Sequence, residues 1–357
     1  MDVALLRERF AVLENTAYLN AGTDGPVAGA AIDAAEEELR AQLAIGRTAA
    51  HFERNSELKS QLRERYAGLL QADVQDVSLT TCTTEGMAAV VGGLGLVAGD
   101  EILTSDEEHP GLLGALAAAR ERGVTVREVP LARIGLEVGP ATRLLACSHV
   151  SWLCGRRAPD LADCPVPVLL DGAQGVGAVP VDVRALGCDA YAGAGQKWLC
   201  GPDGTGMLYT TPELRSRLSV DRRGYGNMAN PGDGLAARLH DDARRFDALG
   251  LNRETLAFAL AAFDTLAQAG WTALHERAAA LAEHFCELLG AAGRTVAARE
   301  PGTLVAFTSD DPPAERASLA AAGVVLRDVP GRPWLRASVG AWNNERDAQR
   351  LVEALAG

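Results

Sequence analysis

Lysine is almost missing from this sequence. Of 34 basic residues in 357, only Lys59 and Lys197 are lysines, and the rest are arginines. Chemistry that needs a primary side-chain amine therefore has two candidates. Positive charge is also outweighed, since 47 acidic residues leave a formal net charge of −13. Binding a phosphate backbone needs a basic footprint, and holding to acidic lipid needs a polybasic segment. Neither nucleic acid nor a membrane is expected as a partner. Long apolar runs are lacking too: the longest uncharged stretch, 86–99, contains five glycines and falls short of the ~20 apolar residues of a membrane span. The opening MDVALLRERFAVLENT has no apolar core of a secretion signal, so a cytoplasmic location is expected. The seven cysteines are scattered, with no C-x-x-C pair, which argues against a disulfide framework or zinc ribbon. Cys147, His149 and Cys154 lack a recognised metal spacing, and no metal is expected.

What is present suits a soluble globular protein with a sizeable core: 48% hydrophobic and 23% charged residues. The length predicts one large domain and a smaller one. Ala31–Leu43 reads as a helix with Ile32, Ala35, Leu39 and Leu43 on one stripe, and Leu58, Leu62, Tyr66 and Leu69 mark another. From about residue 79 strand, loop and helix alternate. Strands are predicted at Glu101–Thr104, Val124–Val129, Leu144–Val150, Val166–Leu170, Cys188–Ala192 and Gly206–Thr210, with a helix at Gly111–Arg122. The pattern predicts an α/β domain around a mainly parallel sheet. After about 250 come two long helices, Arg253–Ala269 and Thr272–Leu289. Short strands follow at Leu304–Thr308, Val324–Arg327 and Leu335–Val339, between helices near 313–322 and 344–355. The reading is a large domain over 16–250 and a smaller α+β domain from 1–15 and 251–357, with residues 1–15 forming a helix.

Five places carry residues suited to chemistry. Thr83 and Thr84, in Thr81–Gly86 before a helix-like run, suit a phosphate at a helix N-terminus, or simply cap the helix. Asp171, at the end of an apolar strand, stands where open α/β sheets bind ligands, unless it is a solvated loop residue. Lys197, among small and apolar neighbours, would lose proton affinity on burial and become a nucleophile able to form an imine; a snorkelling surface lysine is the alternative. Lys59 looks like the solvated face of a helix. His109, after a strand, suits stacking on an aromatic cofactor or moving protons, or a structural role in a loop. Arg327 and Arg336 lie in apolar strands, where each needs a carboxylate from substrate or from the protein itself.

In this order and spacing, the sites resemble the class V aminotransferase family of pyridoxal-phosphate enzymes, which includes cysteine desulfurases, isopenicillin N epimerase-like proteins and C–S lyases. The resemblance runs over nearly the whole chain. It implies a fold-type-I homodimer with active sites at the subunit interface, with pyridoxal 5'-phosphate as cofactor. Lys197 would be the Schiff-base lysine, Asp171 the partner of the pyridinium nitrogen, Gln174 a hydrogen-bond donor to the phenolic oxygen, and His109 the ring-stacking residue. Thr83 and Thr84 would hold the phosphate. Arg336 would bind the α-carboxylate of an amino acid, with Arg327 a second arginine near the substrate. The Asn20-Ala21-Gly22 turn resembles a substrate-facing loop.

The chain also departs from the desulfurases. Gln196 stands where many have His, and Ala194 replaces a hydroxyl residue, leaving the Gln196 amide as a donor for the phosphate. Trp152 replaces an Asn and would narrow or cap the substrate pocket. Near Gly250, a threonine that reaches the partner's phosphate is replaced by Leu251, with Asn252 as substitute. Only eight residues separate Arg327 from Arg336, and no cysteine follows Cys286, so the loop cysteine that takes up sulfur is missing. The resemblance thus implies β-elimination at a sulfur-bearing amino acid without a persulfide cysteine. Epimerase and aminotransferase are the alternatives within the family, and a non-catalytic cofactor-binding regulator or scaffold is the alternative outside catalysis.

Overall fold

The computed structural model describes residues 2–356. The chain opens with two 3-10 segments, Val3–Arg9 and Ala11–Glu14, where a single helix was expected. Leu6, Phe10 and Leu13 are buried, and Phe10 packs on Trp342 with ring centroids 5.5 Å apart. A spacing of three and four residues serves a 3-10 turn as well as an α-turn. Arg7, paired with Asp347 at 2.7 Å, ties this segment to the C-terminal helix. A short strand β1 (Ala17–Tyr18) leads through a loop to α1 (Gly29–Ile45) and α2 (Ala49–Leu70).

The large layer then builds in chain order: β2 (Val77–Thr80), α3 (Thr83–Gly93), β3 (Glu101–Ser105), α4 (Pro110–Glu121), β4 (Thr125–Val129), β5 (Thr142–Ser148), β6 (Val168–Asp171), β7 (Ala190–Ala194), β8 (Gly206–Thr210) and α5 (Pro212–Arg217). The seven strands form one sheet in the order β2-β8-β7-β6-β5-β3-β4. Only the pairs made by β8 are antiparallel. Successive residues of β5 alternate between two cores: Leu144 and Ala146 pack with Met87, Val90 and Leu112, and Leu145 and Cys147 with Leu58, Tyr66 and Phe263. Both faces are covered, so the inner strands are apolar throughout, as the sequence pattern predicts.

Helix α6 (Arg253–Ala267) packs on α1 and α2. Helix α7 (Trp271–Ala291), β9 (Leu304–Thr308), α8 (Pro312–Ala321), β10 (Val324–Val325), β11 (Arg327–Asp328), β12 (Trp334–Ser338) and α9 (Glu345–Ala356) complete the chain. The predicted strand 324–327 is two: β10 pairs with β1, and β11 joins the antiparallel sheet β11-β12-β9.

The stripe on α1 points outward. Ile32, Leu39 and Leu43 are 44%, 49% and 88% exposed. The face turned to α6 carries Ala31 and Glu38 instead, and Glu38 forms a buried ion pair with Arg253. Small side chains let α1 and α6 approach, leaving the larger apolar residues outside. Among the described residues no helix is long and apolar enough to cross a membrane.

Candidate active site

The C-terminal ends of the parallel strands converge on one edge of the sheet, where open α/β sheets bind ligands. β3 delivers Glu108 and His109, β5 delivers Trp152, β6 ends in Asp171, and the turn after β7 carries Gln196 and Lys197. The second sheet adds Arg327 and Arg336 from the other side, and the loop 20–25 closes between them. His109, Trp152, Gln174, Gln196, Lys197, Arg327 and Arg336 thus surround one cavity of about 230 Å³ with Gly22, Thr23 and Asp24.

The loop is held by a bridge from Asn20 to Ser338 and by Ser338 N–H donating to the Leu19 carbonyl at 2.8 Å. Its glycines allow close approach. A Cβ on Gly22 would stand 2.9 Å from Arg336 Nη2, and one on Gly25 only 2.2 Å from the Lys197 carbonyl oxygen.

Lys197 is partly exposed, and its pKa is lowered to about 8. Burial is the main cause, reinforced by Arg336 and Arg327 and opposed by Asp171 and Asp24. Asp171 is buried, which raises its pKa against the pull of Lys197 and of the Ala173 N–H that donates to it at 2.9 Å. Gln174 donates to the Gly22 carbonyl at 2.7 Å and accepts from Trp198 Nε1 at 2.9 Å. One hydrogen of its amide stays available.

His109 caps α4 by accepting the Gly111 N–H on Nδ1 at 3.0 Å. Burial, with Lys197, Arg327 and Arg336 nearby, lowers its pKa to about 4. The neutral ring therefore carries its proton on Nε2, and it meets Trp152 edge-on, with centroids 5.0 Å apart. Its partner in sequence, Glu108, is buried and accepts the Ser148 N–H at 3.0 Å; its other oxygen pairs with Ser148 Oγ at 2.7 Å, and Ser105 Oγ donates to the first. Burial raises its pKa to about 7, and neighbouring Asp171 adds to the rise.

Thr83 and Thr84 open α3, whose N-cap Cys82 makes no side-chain capping bond. Glu85 is turned away, accepting from the Thr81 N–H at 2.6 Å and pairing with Arg222. Thr83 Oγ1 is buried without a partner among the described residues. Thr84 faces the start of α4: a Cβ on Gly111 would stand 2.7 Å from Thr84 Oγ1 and 3.2 Å from His109 Nδ1.

Arg336 is fully buried. Its Nη1 donates to the Trp152 carbonyl, while Nε and Nη2 have no partner among the described residues. Burial and Arg327 lower its pKa to about 9. Asn20 Oδ1, Gln196 Oε1, Trp152 Nε1 and Ser338 Oγ are likewise buried and unpartnered. Those of Arg336, Gln196 and Trp152 belong to residues lining the one cavity and suit it to a polar ligand.

Asn20, Asp171, Thr83 and Thr84 stand outside the immediate lining of this cavity. Lys59 is not on a solvated face as expected. It is half-buried, has its pKa lowered by burial, and lines a separate cavity of about 550 Å³ with His51, Asn55 and His240. Sequence reasoning missed Thr23, Asp24, Ser338 and the role of Glu108. The nearness of Thr23 and Asp24 to the Asn20–Gly22 turn was the one available signal.

A family model described as aminotransferase class-V matches residues 18–332. Isopenicillin N epimerase from Amycolatopsis lactamdurans is 30% identical over 390 aligned residues, 98% of this chain and 96% of that one. A probable cysteine desulfurase from Methanothermobacter thermautotrophicus is 31% identical over 268 residues, 70% of this chain and 65% of that one. A solved structure of the cystine C–S lyase C-DES with its reaction product cysteine persulfide matches with a TM-score of 0.91 at 27% identity, covering 97% of this chain and 99% of that one. These likenesses confirm the expected α/β fold with its mostly parallel sheet, and the chain belongs to the class-V aminotransferase family.

Proposed function

We propose that this chain is a pyridoxal-phosphate enzyme that breaks the C–S bond of a sulfur-bearing α-amino acid by β-elimination. One observation carries the reading: Lys197, His109 and the unpaired Arg336 surround a single cavity, with Asp171 close enough to influence Lys197. The family's cofactor, pyridoxal 5'-phosphate, fits the residues present. The orphaned Thr83 hydroxyl and the uncapped start of α3 suit its phosphate, with Thr84 and Gln196 as further donors. The buried Asp171 carboxylate suits the protonated ring nitrogen, the spare Gln174 hydrogen the phenolic oxygen, and the uncharged His109 ring the face of the pyridine. When bound, the cofactor supplies an electron sink for negative charge at the substrate α-carbon.

The chain's own residues do the rest. Lys197 Nζ, the primary amine on the cavity wall, would hold the cofactor's aldehyde. With its pKa lowered to about 8, this amine is unprotonated in about a tenth of molecules at pH 7, the form that would take the α-proton. Arg336 holds the α-carboxylate through its free Nε and Nη2, orienting the α-hydrogen. The Cβ–S electrons leave with sulfur, and the unsaturated product hydrolyses to pyruvate and ammonia. No protein cysteine takes part, in keeping with the short connection between Arg327 and Arg336.

A second reading has its own support. The likeness to isopenicillin N epimerase spans 98% of the chain, and epimerisation begins with the same proton removal. Product analysis with L-cysteine, its sulfoxide and S-conjugates separates them. Pyruvate and ammonia support the lyase; a D-amino acid supports the epimerase; conversion of the cofactor to its amine form supports an aminotransferase. A colourless protein that gains no visible absorbance with added cofactor refutes all three and supports a scaffold. The outward Ile32, Leu39 and Leu43, with exposed Phe52 and Tyr225, support burial against a second copy in a homodimer.

A further inference from the structure

Glu108, in the turn after β3, and Asp171, at the end of β6, are both buried acids, and they are built differently. Glu108 is met by the Ser148 N–H at 3.0 Å, by Ser148 Oγ at 2.7 Å and by Ser105 Oγ. Asp171 accepts the Ala173 N–H at 2.9 Å. Ser148 joins the two acids. It stands directly opposite Asp171 in the β5–β6 register, and the next N–H, of His149, donates to the Asp171 carbonyl at 2.9 Å.

Three donors favour a carboxylate at Glu108, while burial and the negative charge of Asp171 favour the acid. The balance falls at about 7. The other groups nearby hold their charge at that pH. Glu107 is paired with Arg156 at 2.5 Å, burial keeps the Cys147 thiol protonated, and the His109 ring is neutral, with its pKa lowered to about 4. Lys197 acts on Asp171. Among the described residues, the charge that acts on Glu108 is that of Asp171. The donors and the burial are fixed by the fold, so the charge of Asp171 is what a ligand can change.

We infer that Glu108 gives up its proton to solvent when a cation settles against Asp171, which ties cofactor loading to proton release at a residue outside the cavity lining. The cation is the protonated ring nitrogen, so the inference rests on the cofactor placement proposed above. Once that charge offsets Asp171, the repulsion that keeps Glu108 in its acid form falls, and its O–H bond breaks to leave a carboxylate. The coupling is reciprocal: an ionised Glu108 deepens the negative field around Asp171 and holds the ring nitrogen more tightly. A group that loses proton affinity on binding favours binding at higher pH, so through Glu108 the cofactor is held more loosely in acid. Glu108 is thus a positioning residue that acts through Asp171.

The test is the dissociation constant of pyridoxal 5'-phosphate, read from the absorbance of the bound form at pH 5 and pH 8, in the parent and in Glu108→Gln. Titration of the free cofactor and of Lys197 is common to both proteins, so the ratio of the two constants isolates Glu108. The ratio should be near one at pH 5, with the parent about tenfold tighter at pH 8. An analogue with C–H in place of the ring nitrogen brings no cation, and its ratio should not change with pH. A ratio indifferent to pH for the natural cofactor, or the same change for the analogue, overturns the inference. A parent that binds no cofactor refutes the proposed function instead. In that case, or should Glu108→Gln fold poorly, infrared titration of the carboxyl band that ionises near neutrality decides the coupling. Asp171→Asn removes the charge directly and should lower the midpoint of that band by about one pH unit; an unmoved midpoint overturns the inference.

Discussion

Glu108→Gln isolates the buried acid beneath His109. The carboxyl accepts the Ser148 N–H at 3.0 Å and meets Ser148 Oγ at 2.7 Å. Gln keeps the accepting oxygen and offers an N–H to the hydroxyl, so the geometry survives while the charge is removed. In the fold the acid's pKa is raised from 4.5 to about 7. A raised carboxyl favours its neutral form, so its stability contribution is full below pH ~4.5 and is lost as pH rises through about 7. At 1.36 kcal/mol per unit, this shift amounts to about 3 kcal/mol. The variant cannot ionise and escapes that loss. Urea unfolding of both proteins at pH 5 and pH 8 should show the variant gaining on the parent by an amount of this order at the higher pH. A gap unchanged between the two pH values would refute the argument that the carboxyl is held neutral.

Two other outcomes follow from the site and the surface. Arg336→Ala should raise KM for an amino acid roughly tenfold or more, since a charge-assisted pair is worth about 1.5–3 kcal/mol; steady-state kinetics check this, and an unaltered KM moves the carboxylate site elsewhere. Leu43→Glu, at a residue 88% exposed on α1, should shift a dimer toward monomer in sedimentation, and an unchanged mass removes this stripe from the interface.

Much of the large layer was legible because buried parallel strands read as short apolar runs. Gly206–Thr210 and Leu304–Thr308 fall where the pattern places them. Lys197 stood out because the chain uses arginine almost everywhere else. Other features depend on tertiary contact. The α1 stripe resembles a core face, yet the helix buries its small residues and Glu38, because Arg253 on α6 supplies a partner. Asp24 looks like an ordinary loop acid until the bridge from Asn20 to Ser338 draws the loop over the cavity. Lys59 reads as solvated from its polar neighbours in sequence, but its enclosure comes from residues around 225–251, far along the chain. The direct opposition of Arg327 and Arg336 depends on the register of the turn between them.

The central claim is that Lys197 alone carries the cofactor, and Lys59, half-buried beside a larger cavity, is its natural rival. Borohydride reduction of the cofactor-loaded protein, followed by proteolysis and mass mapping, decides between them. The account predicts the reduced pyridoxyl label on the peptide containing Lys197 and its loss in Lys197→Ala. A label on Lys59, or one that persists in Lys197→Ala, would contradict it.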